Sequence, residues 1–281
     1  MRYFIVDAFA EVSFGGNPAG VVLLEDGFPA DEWMRLVAAE FRYSETAFVQ
    51  RDGSLEFTVR YFTPCGEVDL CGHATIATFG VLQDEGMVPD GAVCRLHTLA
   101  GNLEVQVGEM VMMQMAAPHV VEADVDVEQL HHIMAGEDKA EWPDLPVEII
   151  STGLPDIMMP VSSVEALNSL QPDMDALAEM SRQLSVTGVH AFSLSDDDYT
   201  AHVRNFAPLY GIPEESATGT ANAALTYYLL RRGIISANAS CRFLQGEVMG
   251  RPSVVATQVK GDAIYVGGNS RIIAHGHLIC S

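Results

Sequence analysis

We predict from the sequence an α+β protein of two similar domains, each a sheet wrapped around a central helix. The first observation is a repeat, because Arg60-Tyr61-Phe62-Thr63-Pro64 matches Arg204-Asn205-Phe206-Ala207-Pro208. The second is that glycine-centred turns follow, Cys71-Gly72-His73-Ala74-Thr75 and Ala217-Thr218-Gly219-Thr220-Ala221, and each opens a run of small and apolar residues typical of a buried helix. The third is length, since 281 residues with 48% hydrophobic content exceed what one core usually absorbs.

The first half alternates strands and helices. Apolar alternation predicts strands at residues 3–8, 21–24, 47–50, 55–62, 93–98, 101–107 and 110–115. Gly16-Asn17-Pro18 is typical of a turn. Residues 31–41 are predicted as a helix packed on a sheet, because Trp33, Leu36, Val37 and Phe41 lie near helical spacing behind an acidic first turn. A second helix, at residues 74–85, follows the first glycine turn.

The second half repeats this mixture with more proline and glycine. Helices are predicted at residues 127–134, 174–183 and 221–232, the last ended by Gly233. Strands are predicted at residues 148–152, 158–161, 191–194, 253–259, 263–267 and 271–279. The joint falls at Ala116-Ala117-Pro118, which gives domains 1–117 and 118–281, with the option that the last strand returns to the first domain.

Charge excludes several classes of partner. With 15 basic and 38 acidic residues the net charge is −23, and binding to nucleic acid or anionic lipid depends on neutralising phosphates with Lys and Arg, so we predict neither partner. No apolar run approaches the roughly 18 residues that span a bilayer, and the acidic Asp7 comes too early for a signal peptide.

Cysteine and histidine usage predicts a cytoplasmic protein without metal or cofactor. The five cysteines are odd in number, scattered and without a Cys-x-x-Cys pair, which favours neither a disulfide framework nor a zinc site. They are Cys65, Cys71, Cys94, Cys241 and Cys280. The groups His131-His132 and His275-Gly276-His277 lack acidic or cysteine partners at ligand spacing. No Gly-x-Gly-x-x-Gly segment or phosphate loop is present, so no nucleotide is expected.

The two glycine turns predict a site for a small carboxylate. The first N–H groups of a helix have no partner within it, and together with the positive end of the helix dipole they attract an anion. A duplicated turn indicates a site between two half-molecules, so we expect both helix starts to face one cleft and to bind a carboxylate there.

Five motifs in order resemble one family. They are Asp7-Ala8-Phe9, Gly16-Asn17-Pro18-Ala19, Ser44-Glu45-Thr46 and the two glycine turns. The chain resembles the PhzF phenazine-biosynthesis family, whose superfamily also contains diaminopimelate epimerase and proline racemase. The resemblance implies two domains, each a barrel-like, mostly antiparallel sheet around a central helix, with the active site in the cleft between them. It also implies a cofactor-independent isomerase, usually a homodimer.

The resemblance also implies roles for individual residues. Glu45 corresponds to the proton shuttle and His73 to the active-site histidine. Glu215 and Thr220 stand where the family's phenazine-pathway enzyme has an aspartate and a serine, so the resemblance leaves open whether the substrate is the family's dihydro-hydroxyanthranilate or another small carboxylate. The predicted catalytic residues are Glu45, His73 and Glu215. The predicted substrate-binding residues are Asn17, Gly72, Thr218, Gly219 and Thr220.

Cys71 leaves two alternatives open. In the epimerase and racemase relatives, one cysteine from each glycine turn serves as base or acid, but the matching second position here is Thr218, whose hydroxyl is a poor base near neutral pH. Cys71 is then either a packing residue or the base of an epimerase or dehydratase that uses one cysteine. A carboxylate-binding protein without turnover is the third possibility.

Overall fold

The structure is a computed structural model that describes residues 1–136 and 142–279. Its contacts divide the chain into two compact units. The first unit contains Met1–Gln114 and Gly267–Ser281, and the second contains Met115–Val266. The end of the chain therefore belongs to the same unit as its beginning. Cys280 lies outside the described residues.

A mostly antiparallel sheet and a central helix form the first unit. Its elements are β1 (Arg2–Ala8), β2 (Asn17–Leu24), α1 (Asp31–Phe41), β3 (Thr46–Arg51), β4 (Glu56–Phe62), β5 (Glu67–Val68), α2 (Gly72–Asp84), β6 (Ala92–Thr98), β7 (Gly101–Val107), β8 (Val111–Gln114) and, at the end of the chain, β18 (Ser270–His277). The strands pair in the order β18-β1-β2-β3-β4-β6-β7-β8, with β5 also on β4. Only β2–β3 and β4–β6 among these pairs are parallel.

Helix α2 is apolar on every side because the sheet surrounds it. It packs against β1, β2, β3, β7, β8 and β18. Ile76, Ala77 and Phe79 have no exposed surface. Close approach to β18 requires glycine at position 80, because a Cβ there would lie 1.9 Å from the Oγ of Ser270. Burial of this kind, rather than local helix propensity, holds the helix in place.

The second unit has a corresponding set of elements. They are β9 (His119–Val121), α3 (Val127–Ala135), β10 (Glu148–Ser151), β11 (Pro155–Pro160), α4 (Val164–Ser169), α5 (Met174–Leu184), β12 (Gly188–Leu194), β13 (Ala201–Ala207), a 3₁₀ turn (Pro208–Tyr210), β14 (Ile212–Glu215), α6 (Gly219–Arg231), β15 (Ser240–Gln245), β16 (Ser253–Lys260) and β17 (Ala263–Gly268). The strands pair in the order β9-β10-β11-β12-β13-β15-β16, with β14 also on β13. Helix α6 packs against β10, β11 and β16.

The two units share one topology. β11–β12 and β13–β15 are parallel and the other pairs described for the second unit are antiparallel, which reproduces the pattern of β2–β3 and β4–β6. In each unit the central helix connects the two strands of the second parallel pair. The predicted α+β fold of two similar, strand-rich domains is therefore confirmed.

Two local predictions in the first unit were wrong. The turn predicted at Gly16-Asn17-Pro18 is confined to Gly16, with φ of +70° and a Cβ position 2.3 Å from the Ala8 carbonyl oxygen, and β2 already begins at Asn17. Helix α1 has the predicted bounds, but Leu36 is 52% exposed. Met34 and Ala38, one turn apart, form its buried face, and a residue midway between them points away.

A buried histidine joins β13 to two loops of the second unit. His202 is 2.8 Å from Oδ2 of Asp197 through Nε2 and 2.6 Å from Oε2 of Glu247 through Nδ1. Burial lowers the pKa of His202, but the hydrogen bonds to the two carboxylates outweigh it and raise the pKa above its usual value.

Among the described residues, no helix has the length and apolar character needed to cross a membrane.

Candidate active site

Three of the predicted site residues meet at the start of α2 in the first unit. Glu45 lies in the connection between α1 and β3, where its carbonyl oxygen accepts from the backbone N–H of Gly20 at 3.3 Å. Cys71 is the residue that precedes α2, with an extended backbone, and His73 lies in its first turn. The parallel pairing of β2 with β3 therefore brings Glu45 to the helix start.

Short distances connect the side chains of this cluster. The Nε2 atom of His73 is 3.3 Å from Oε2 of Glu45 and 3.4 Å from Oγ of Ser44. The Sγ atom of Cys71 is 3.3 Å from Nδ1 and 3.9 Å from Nε2 of the same ring. An imidazole within reach of both a carboxylate and a thiol can exchange a proton with either of them.

Glu45 has a buried oxygen that is not satisfied by hydrogen bonding. Its side chain is 18% exposed and that of His73 is 7% exposed. Within the described part of the chain, Oε2 of Glu45 has no hydrogen-bond partner despite its distance of 3.3 Å to the histidine ring. Buried carboxylate oxygens are normally hydrogen-bonded, so an unsatisfied one marks Glu45 as a candidate functional group.

Two buried hydroxyl groups support the backbone at the start of α2. The hydroxyl of Thr75 donates to the carbonyl oxygen of Cys71 at 2.7 Å and lies 2.6 Å from the hydroxyl of Tyr61. Tyr61 is fully buried, and desolvation raises the pKa of its phenol, so it remains a neutral hydrogen-bonding group. This support fixes Cys71 and His73 relative to the sheet.

The start of α2 is open to a ligand at Gly72. No heavy atom of the described residues lies within 4 Å of the position a Cβ would take there, and φ is not positive. Neither packing nor backbone conformation therefore requires glycine at this position. No side chain caps the helix, and its first turn has no acidic residue. The N–H groups of the first turn have no side-chain cap, and such groups at a helix start favour an anion.

The same cluster has the composition of a metal site. Ligand atoms of Glu45, Cys71 and His73 lie within 4.8 Å of one another. Taking Nε2 as the histidine ligand, Oε2 is 3.3 Å and Sγ 3.9 Å away. Zn²⁺ in a tetrahedral site, with bonds of roughly 2.0–2.3 Å, separates its ligands by roughly 3.3–3.7 Å. The Nε2–Oε2 separation matches this range and the Nε2–Sγ separation is slightly longer, so the three residues are candidate ligands for this ion. No metal was predicted from the sequence.

The second unit places Glu215 and Thr218 together before α6. The hydroxyl of Thr218 donates to Oε2 of Glu215 at 2.8 Å. Gln245, at the end of β15, donates from Nε2 to the Glu215 carbonyl oxygen at 2.7 Å and to Oγ1 of Thr218 at 3.1 Å. Its Oε1 accepts from the backbone N–H of Thr218 at 3.1 Å. Glu215 is therefore held by Thr218, the residue that precedes α6, and by Gln245 of β15.

The remaining predicted residues lie at strand and helix starts. Asn17 is the first residue of β2 and is 5% exposed. Gly219 and Thr220 begin α6, and the Thr220 carbonyl oxygen accepts from Oγ1 of Thr152 at 2.9 Å. As in α2, no side chain caps α6 and its first turn has no acidic residue.

Sequence reasoning missed the polar residues that support these groups. Ser44 was noted only as part of a motif, and Gln245 was not noticed. The available signal was a polar residue next to apolar ones, as with Gln245 after Phe243 and Leu244, and Asn222 between alanines. Gln245 and Asn222 are both fully buried. A buried amide needs partners, so such a residue predicts a hydrogen-bond network.

The chain matches a family model described as a phenazine biosynthesis-like protein, PhzC-PhzF, over residues 6–276. It is 35% identical to a protein of Deinococcus radiodurans named as an isomerase, over 98% of this chain and 94% of that one. It is 29% identical to trans-2,3-dihydro-3-hydroxyanthranilate isomerase of Pseudomonas fluorescens, over 99% of both.

Solved structures give the same result. A phenazine biosynthesis protein of the PhzF family from Bacillus anthracis aligns with a TM-score of 0.90 at 26% identity, and covers 100% of this chain and 99% of its own.

Proposed function

The chain belongs to the PhzC-PhzF family of phenazine biosynthesis-like proteins, and we propose that it is an isomerase that uses Glu45 to move a proton between carbon atoms of a small carboxylate-bearing substrate. The observation that supports this proposal is the unsatisfied Oε2 atom of Glu45, 3.3 Å from His73 and next to the open start of α2. Relatives named as isomerases support the reaction class.

The proposed mechanism assigns each group one task. The N–H groups at the start of α2 bind the substrate carboxylate across the open position at Gly72. Glu45 removes a proton from a neighbouring carbon and returns it to another, which conserves the composition of the substrate. His73 donates a hydrogen bond to the negative charge that develops on the substrate while the proton is on Glu45. No cofactor is needed, because the substrate carries the electrons through the shift.

Glu215 is proposed to assist the same reaction. Thr218 donates a hydrogen bond to the Glu215 carboxylate, and Gln245 donates one to the Glu215 carbonyl oxygen. These bonds hold the carboxylate in one orientation, as an assisting acid or base requires. The expectation that the starts of α2 and α6 face one cleft stays a prediction of the sequence. So do the cytoplasmic location and the homodimer.

Turnover in deuterated water tests the role of Glu45. The probe is trans-2,3-dihydro-3-hydroxyanthranilate, since it carries a carboxylate and is the substrate named for a relative. Product from the wild type should carry at most one solvent deuteron, at the carbon that receives the proton, because the proton on Glu45 can exchange with solvent before it is returned. Glu45→Gln should reduce kcat by about 10²–10⁴, the usual contribution of a general base. Glu40→Gln, an exposed glutamate of α1, is the control and should retain normal turnover. Normal turnover in Glu45→Gln would contradict the assignment.

A second candidate uses Cys71 as the base, which its distance of 3.3 Å to Nδ1 of His73 favours. A thiol beside an imidazole at a helix start is readily converted to the thiolate. Cys71→Ser separates the two mechanisms, because it should abolish exchange if the thiolate is the base and leave most exchange if Glu45 is. Cys65→Ser, at an exposed cysteine, controls for thiol chemistry elsewhere.

A further inference from the structure

A buried polar network surrounds the start of α6 in the second unit. Its members come from β11, β12, β13, β14, α6 and β15 and include both amides and acids. They are Asp156, His190, Asn205, Glu215, Thr218, Asn222 and Gln245. Asp156, His190, Asn205, Asn222 and Gln245 are at most 1% exposed. The network begins and ends with a carboxyl group.

The hydrogen bonds of the network fix the direction of each donor. Asn222 donates from Nδ2 to the Thr218 carbonyl oxygen and to Oε1 of Gln245, both at 2.9 Å. Its Oδ1 therefore faces His190, which must donate from Nε2, at 3.3 Å. Nδ1 of His190 then accepts from Nδ2 of Asn205, also at 3.3 Å. Burial lowers the pKa of His190 to about 3, so the ring is neutral and cannot balance a negative charge.

Asp156 is the member that the network leaves incompletely satisfied. It lies on β11 and is 1% exposed, with Asn205 as its hydrogen-bond partner. Its Oδ1 atom has no partner among the residues the structure describes. The titratable groups of the network that face it are neutral His190 from β12 and Glu215 from β14, and no lysine or arginine is among them. A protonated acid, with a donor of its own, suits this environment better than a carboxylate.

Asp156 and Glu215 influence one another electrostatically. Burial raises the pKa of Asp156 to about 7, the hydrogen bond from Asn205 lowers it, and the charge of Glu215 raises it again. Asn205, the hydrogen-bond partner of Asp156, lies opposite Glu215 in the pairing of β13 with β14, which places the two acids on either side of one amide. A negative charge on one of two neighbouring acids disfavours ionisation of the other. Glu215 is partly exposed and accepts from Thr218, so the negative charge is more stable there. The proton then belongs to Asp156.

The first unit has no such network at the corresponding positions. The strand pairing aligns Asp156 with Ala19, His190 with Ala47 and Asn205 with Tyr61. There, a direct contact between the hydroxyls of Tyr61 and Thr75 replaces the chain of amides and imidazole. The same fold is thus stable with alanines in place of the buried acid and the histidine. The polar set in the second unit is not required by the topology, which points to a function.

We propose that Asp156 is a positioning residue for Glu215. The neutral acid keeps the Glu215 carboxylate on Thr218, and ionisation of Asp156 drives the two charges apart and moves Glu215 from its place. The activity that depends on Glu215 therefore falls as Asp156 loses its proton. This inference rests on the proposed function in one respect, namely that Glu215 assists the reaction.

The pH dependence of kcat/KM tests the proposal. If Asp156 titrates near pH 7, activity that needs its neutral form should be about tenfold lower at pH 8 than at pH 6. Asp156→Asn places an uncharged amide in the same space, so kcat/KM should be nearly equal at the two pH values. Asp198→Asn, at an exposed aspartate of the same unit, should keep the wild-type pH dependence. A tenfold fall retained in Asp156→Asn would overturn the proposal.

A measurement without turnover separates this inference from the proposed function. In protein with ¹³C-labelled aspartate carboxyls, the Asp156 resonance should titrate near pH 7 and move to lower pH in Glu215→Gln, which removes the neighbouring charge. An Asp156 resonance that titrates near its ordinary value, or is unchanged in Glu215→Gln, would overturn the proposal even if Glu45→Gln behaves as expected. Conversely, loss of the Glu45 assignment would leave this titration unaffected.

Discussion

Replacing Asp156 with asparagine should stabilise the second unit at alkaline pH. In the folded protein burial raises the pKa of this carboxyl from 3.8 to about 7, whereas the unfolded chain releases the proton near 3.8. Between these values the folded state binds more protons than the unfolded state, so the free energy of unfolding falls as the pH rises. The contribution to stability is greatest below the unfolded pKa, is lost progressively as the pH rises through about 7, and changes little at higher pH.

The two pKa values set the size of this effect. The interval from 3.8 to about 7, at about 1.36 kcal/mol for each pKa unit, corresponds to about 4 kcal/mol. This is an upper value, because side-chain movement or water entry relieves part of the cost of a buried charge. The amide of Asp156→Asn does not ionise, and about two of these pKa units lie above pH 5. The difference in unfolding free energy between variant and wild type should therefore increase by up to about 2.7 kcal/mol from pH 5 to pH 8.5.

Urea unfolding at several pH values measures this difference. The chain has two tryptophans, Trp33 in the first unit and Trp142 in the second, so a Trp33→Phe background makes fluorescence report the second unit. Asp198→Asn in the same background corrects for the loss of one acid from an acidic protein. If the unfolding free energies of Asp156→Asn and the wild type change in parallel with pH, Asp156 is ionised in the folded protein and the reasoning is refuted.

Three further predictions concern other sites. Gly72→Ala should raise KM about tenfold without loss of stability, because its Cβ meets open space over the helix start. Gly80→Ala should instead lower the free energy of unfolding by about 1–3 kcal/mol through overpacking. Urea unfolding and kinetics on both variants check this pair. Zn²⁺ should inhibit turnover and a chelator restore it, with at least about tenfold weaker inhibition in Cys71→Ser but not in Cys65→Ser. His202→Gln should destabilise the protein below the ordinary pKa of 6.5 and progressively less as pH rises through the raised folded value, as urea unfolding at pH 6 and pH 9 would show.

Local patterns were sufficient to predict the helices that carry the candidate site. Helix α1 has the predicted bounds because an acidic first turn and apolar spacing are properties of a short segment. Helices α2 and α6 begin at the glycine turns because the residues before them are extended and the residues after them are small and apolar. The sequence repeat predicted that the two units share one topology, because matching segments form matching elements.

Side-chain contacts between distant segments were beyond sequence reasoning. Glu45 and His73 are brought together by the parallel register of β2 and β3 and by the packing of α2, neither of which the sequence specifies locally. Asp156 is the one polar residue of β11 and Gln245 follows two apolar residues at the end of β15, and their partners belong to other strands and to α6. β15, which carries Gln245, was not predicted at all. A polar residue in a buried strand indicates that partners exist, but not which ones.

The two helix starts differ in the chemistry they can perform, and this difference bears on the mechanism. Cys71 and His73 in the first unit correspond to Thr218 and Thr220 in the second. A thiol and an imidazole exchange protons near neutral pH, whereas an alcohol does not. The Thr218 hydroxyl also donates its hydrogen to Glu215, so it serves to orient a carboxylate rather than to act as a base. A two-base racemisation with matched residues from the two helix starts is thus disfavoured, which leaves Glu45 as the proton carrier of the proposed function. In the second unit, the property that a protonated Asp156 would preserve is the orientation of the Glu215 carboxylate.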